Sequence, residues 1–177
     1  MKTAVVLLLT AAAWSQAPLK PVSIVNPAEK PAIPTAVMTD LEKRLDYKVS
    51  LTGGNDPILL LGPARTLYVS GFGAIVTQEI SLVVTPTLSP FHQQITPQEI
   101  VQTHQRKIDR LPLARQTIRE MWTTAASMLT AVPEDEQIVV AVRLLYQPWE
   151  NTAGLPGQIV VKASRKTALA GVQTEEQ

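Results

Sequence analysis

Residues 96–133, TPQEIVQTHQRKIDRLPLARQTIREMWTTAASMLTAVP, read as the helical centre of the chain. Thr96 supplies an N-cap oxygen. Pro97 fits the first helical position, where a missing N–H costs nothing, and Glu99 is the matching capping-box acid. From Ile100 onward, His104, Ile108, Leu111, Ala114, Ile118, Met121, Ala125, Met128 and Val132 recur at steps of three and four, the period of an amphipathic helix. Pro112 falls inside this pattern, where its ring deletes a backbone donor and crowds the preceding turn. A kink, or two helices meeting, is expected there, with Pro133 ending the second.

Strand patterns lie on both sides. After the helical block, Ile138, Val140, Val142, Leu144 and Tyr146 alternate, and Gln158 to Ala163 repeat the alternation. Before it, Leu67 to Gly71 and Ala74 to Val84 are rich in branched residues, and Gly71-Phe72-Gly73 between them is a tight hairpin or a glycine bulge. A short helix near Ala36 to Asp46 and a strand from Tyr47 to Leu51 open the domain, ending at the turn cluster Gly53-Gly54-Asn55-Asp56-Pro57. The expected fold is α+β: an antiparallel sheet of about four to five strands with a long kinked helix or helix pair packed on one face.

The N-terminal end addresses compartment. Lys2 precedes an apolar run from Ala4 to Ala13, and Ala13-Trp14-Ser15 offers small residues where a signal peptidase reads. The run is too short for an ordinary transmembrane helix. Residues 1–15 are therefore expected to be a signal peptide, 16–35 a proline-rich linker, 36–170 one α+β domain and 171–177 a disordered tail. The mature chain should begin at Gln16, exported to the periplasm or secreted, soluble and with no transmembrane anchor after signal removal.

Composition narrows the chemistry. There is no cysteine, which removes disulfides, thiol nucleophiles and cysteine-rich metal sites. Sixteen basic residues face fifteen acidic ones, so no electrostatic case exists for nucleic acid. Gly71-Phe72-Gly73 fails as a phosphate loop because the sixth position is Val76 and a strand follows. Ser70 beside Gly71 is half of a nucleophile elbow, with neither the preceding glycine nor the following helix. No metal-ligand spacing and no cofactor motif appears, and Glu134-Asp135-Glu136 reads as a solvated turn. His104 reads as a hydrogen-bonded boundary histidine, while His92 is freer to act as a base. Arg106, Lys107 and Arg110, with Arg115 and Arg119 after Pro112, are expected to solvate the outer helix face.

Tyr68-Val69-Ser70-Gly71-Phe72-Gly73-Ala74, Leu111-Pro112-Leu113 with Arg119-Glu120-Met121, and Trp149-Glu150-Asn151-Thr152 with Gly154-Leu155-Pro156-Gly157-Gln158-Ile159-Val160 resemble an uncharacterised family of small exported bacterial proteins. The resemblance spans roughly residues 67–166 and implies export and a single domain, with no residue role attached.

The leading expectation is a non-catalytic exported binding module for an unknown protein or envelope component. The alternatives are a hydrolase using His92 with a serine or carboxylate, and a structural subunit of an envelope assembly. Periodicity leaves unexplained the loop residues Phe72, Phe91, His92, Trp149, Glu150 and Asn151, the candidate partner-binding positions.

Overall fold

The computed structural model describes residues 33–87, 89–90 and 94–171. The signal-peptide reading, the linker up to residue 32, Phe91, His92 and residues 172–177 lie outside the described residues. The elements run α1 (Thr35–Leu51), β1 (Leu59–Val69), β2 (Gly73–Ser81), α2 (Pro97–Met128), β3 (Gln137–Leu144), β4 (Gln158–Ser164) and α3 (Arg165–Leu169).

The architecture is α+β, with one four-stranded sheet in the order β1-β2-β3-β4. It is mixed rather than wholly antiparallel. β1 and β2 form one hairpin and β3 and β4 another, but β2 and β3 pair in parallel, Gly73 with Gln137 through Ile80 with Leu144. The cause is α2: a helix lying along the sheet returns the chain to the end where β2 began, the crossover a parallel pair requires.

α2 is one helix of 32 residues that runs through Pro112, not a pair. Its expected cap is present. Thr96 Oγ1 accepts from Glu99 N at 3.2 Å, and Glu99 Oε2 accepts from Thr96 N at 2.8 Å. Its last turn holds no basic residue; instead Arg165 Nε donates to Ala126 O at 2.9 Å, and Arg165 Nη1 to Val132 O, just past the helix, at 3.3 Å. The first residue of α3 thus ties the C-terminal end of α2 to the end of β4.

The expected strand over Tyr47 to Leu51 is instead the end of α1. Leu41, Leu45 and Val49 form a buried four-residue repeat, and the core it enters outweighs the local strand preference of Tyr47 and Val49. β1 also begins eight residues earlier than expected, at Leu59. Gly62 and Pro63 interrupt the alternation, but they sit at register shifts on an edge strand, where a missing N–H is harmless.

The core lies between α1 and α2 on one side and the inward sheet positions on the other. Val76, Ile80, Val140, Val142, Ile159 and Val161 are buried with Leu41, Leu45, Ile118, Met121 and Trp122, and the core reaches back to Ile33. Trp122 Nε1 donates to Ile138 O at 2.8 Å, so even this indole is satisfied. α1 also closes the free edge of β1. Asp46 Oδ1 accepts from Ala64 N at 2.7 Å and Glu42 Oε1 from Thr66 N at 2.6 Å, which occupies strand donors that would otherwise recruit another strand.

Candidate functional site

The connection from β3 to β4 is anchored from within. Lys107 on α2 is fully buried and donates from Nζ to Glu150 Oε2, and the Glu150 side chain is only 2% exposed. The same ammonium stands 4.7 Å from the centre of the Tyr146 ring. Tyr146 donates its hydroxyl proton to Pro156 O at 2.7 Å, and His104 Nδ1 lies 2.9 Å from Asn151 O, a geometry in which Nδ1 carries the proton. A long loop is thereby pinned to α2 by an ion pair, a cation–π contact and the His104 hydrogen bond, and is closed on itself by the Tyr146 hydroxyl.

Lys107 was expected on the outer helix face, and that expectation is wrong. The buried stripe before Pro112 is Thr103, Lys107 and Leu111, one position away from the face traced by Ile100, His104 and Ile108. Arg106 and Arg110 do not simply solvate the helix either. They reach Asp56 at 2.7 Å and 3.2 Å, joining α2 to the turn after α1. Burial acts to raise the Asp56 pKa, but hydrogen bonds and charge from Arg106 and Arg110 outweigh it and hold the carboxyl below its ordinary value.

Burial, with the charge of Glu150 second, pushes the Tyr146 phenol up to about 12. Tyr146 ionises at an ordinary value of 10.0 once unfolded. Its raised folded value therefore contributes stability that is fully present below pH 10 and lost as pH rises toward 12. Thermal unfolding followed from pH 9 upward should show a steep fall, and Tyr146→Phe should flatten it while lowering stability at neutral pH. An unchanged alkaline slope in the variant would show that another group drives the transition.

The candidate loop residues fall into separate places. Phe72 is 45% exposed in the β1–β2 turn, beside the start of β3, where its carbonyl accepts from Gln137 N at 2.8 Å. Trp149 follows the far end of β3, so the two aromatics lie at opposite ends of a strand roughly 25 Å long. Trp149 is half-buried and borders an open groove of about 420 Å³ with Pro86, Thr87 and Pro148. Glu150 turns inward to Lys107. Asn151 is exposed, and its Oδ1 accepts from Ala153 N at 3.0 Å. Glu150 and Asn151 thus hold the loop's shape, and Trp149 is the one of the three placed beside a groove.

His104, the only described histidine, is bonded to the Asn151 carbonyl, and Ser70 hydrogen-bonds Tyr68 instead. No group of three or more metal-ligating side chains gathers among the described residues. No helix among them is long and apolar enough to cross a membrane.

The largest feature that sequence reasoning missed is the outer face of the sheet. The register aligns Leu67, Ile75 and Val139 across three strands, with Ala141 and Val160 beside them. Leu67 is 60% exposed and Val69 41%, and Ile75, Val139 and Val160 are only half-buried. The two long helices cover the opposite face, and among the described residues no second layer covers this one. The continuous apolar run from Ile138 to Val142 in β3 was the available signal, because a strand with one wet face ordinarily alternates with polar residues. No family model, curated protein or solved structure matches the chain.

Proposed function

We propose that the chain is an exported, non-catalytic binding module, periplasmic or secreted, that meets its partner through the outer face of its sheet. One observation carries this reading: side chains of core type, Leu67, Ile75 and Val139, line up across three strands with Val160 beside them, on a sheet face that no other described element covers. Fully burying an exposed Leu, Ile or Val side chain contributes about 1.5–3 kcal/mol; Leu67 gains most of this and the half-buried Ile75, Val139 and Val160 a share of it, so a surface of this kind favours association. Export is supported by Lys2, the apolar run to Ala13 and the Ala13-Trp14-Ser15 site. The absence of cysteine fits a domain held by its core alone.

Leu67→Asp tests the reading. Position 67 is solvent-facing on the edge strand, so stability should change by less than about 1 kcal/mol. Retention in a native complex should nevertheless fall sharply, because a carboxylate would have to be desolvated at the centre of the contact. Size-exclusion chromatography of native extracts reads this. Co-elution of wild type with a larger assembly and release of the variant supports the reading. Wild type running alone, or a variant that remains in the assembly, removes its basis.

A further inference from the structure

The outer face also has a charge pattern that selects its occupant. Its outward strand positions carry three cations, Arg65, Arg143 and Lys162, against one carboxylate, Glu79. Glu79 already lies 3.4 Å from Arg143. Arg65 on β1 and Lys162 on β4 are exposed and have no counter-ion among the described residues. They flank the apolar centre from the two outermost strands. A concavity of about 460 Å³ opens between Arg65 and Arg143, with Thr77 and Ala141 along its wall. Arg65 and Arg143 stand two strands and two residues apart, roughly 12 Å, close to the width of one α-helix with its side chains.

We propose that the outer sheet face binds an acidic amphipathic helix of a partner protein, which lays its apolar stripe on Leu67, Ile75 and Val139 and sets carboxylates against Arg65 and Lys162. The inference rests on the reading that this face is the interface. A second copy of this chain fits less well, since two identical faces would bring three cations and one carboxylate against the same set. An added strand on the β1 side is disfavoured because Asp46 and Glu42 occupy two donors of that edge, Ala64 N and Thr66 N. A helix laid on the open face would turn two layers into three, the usual way a sheet buries both sides.

The probes are two synthetic amphipathic peptides of about five helical turns with identical leucine stripes, one flanked by glutamates and one by lysines. Fluorescence anisotropy with the full chain should give at least about tenfold tighter binding of the glutamate peptide, with the advantage shrinking as salt rises. Arg65→Glu combined with Lys162→Glu should abolish or reverse the preference without moving the melting temperature by more than a few degrees. Equal affinity, a preference for the lysine peptide, or no binding of either overturns the acidic-helix proposal. A dimer in sedimentation that Leu67→Asp disrupts also overturns it and names a second copy as the occupant. These outcomes are separable from failure of the interface reading, because a photo-reactive phenylalanine analogue in place of Leu67 gives an adduct in cells whatever the partner's charge. An adduct whose mapped segment is acidic with three- and four-residue apolar spacing supports the proposal. A basic or neutral segment overturns the proposal alone, and no adduct overturns both.

Discussion

Lys107→Ala is expected to destabilise the domain by about 3–5 kcal/mol, the usual loss when one partner of a buried ion pair is removed. For a domain of this size that is roughly 6–20 °C in Tm. The argument starts from burial. Lys107 is fully enclosed, Glu150 nearly so, and Glu150 Oε1 already lacks a hydrogen-bond partner. Removing the ammonium strands a carboxylate with little else to compensate it, and also removes the cation above Tyr146. Glu150→Gln should be damaging for the reciprocal reason. Replacing both residues together, Lys107→Met with Glu150→Leu, should recover much of the loss, since apolar pairs of similar volume often equal a buried ion pair. Thermal denaturation of the three variants measures this. A loss below about 1 kcal/mol for Lys107→Ala would mean that the pair is solvated and the loop is not pinned as described.

Gly73→Ala should be damaging for a backbone reason. Gly73 has φ +130°, and a Cβ there would stand 1.9 Å from Gln137 O and 2.6 Å from Gln137 N. β2 leaves its turn at the point where β3 begins alongside it, and no side chain fits between the two backbones. The expected cost is about 3 kcal/mol or more, from the strained φ together with separation of the strand ends. Gly71 is the control. It has φ +78° but nothing within 4 Å of its would-be Cβ, so Gly71→Ala should cost only about 1 kcal/mol. Urea denaturation of the pair separates close approach from backbone conformation. Equal losses at both positions would contradict the close approach at Gly73.

These two sites also show where sequence and structure part. α2 was legible because its signals are local: the Thr96–Glu99 box caps it and its apolar residues repeat through Met128. β3 and β4 were legible from alternation. The parallel β2–β3 pairing was not, since the direction of a strand after a helix depends on where the helix lies. Lys107 was misplaced because the apolar residues Ile100 and Ile108 drew the face one position away. Stepping back in fours from Leu111 gives Lys107 and Thr103, the stripe that is in fact buried. Its partner Glu150 lies 43 residues away, a pairing that no local pattern contains. β1 was cut short by Gly62 and Pro63, whose tolerance depends on their being at an edge. The outer sheet face is an aggregate of residues on four strands and becomes visible only once the register is known.

Hydroxyl-radical footprinting tests most directly whether the outer sheet face is covered when the protein works. Labelling of the full chain is compared between cells and the purified protein, residue by residue. The account predicts that Leu67, Ile75, Val139 and Val160 label readily in the purified protein and are protected in cells, while exposed Tyr47 and Val101 on the helices label equally in both. Equal labelling of the sheet residues in the two settings, or protection confined to the helices, would contradict it.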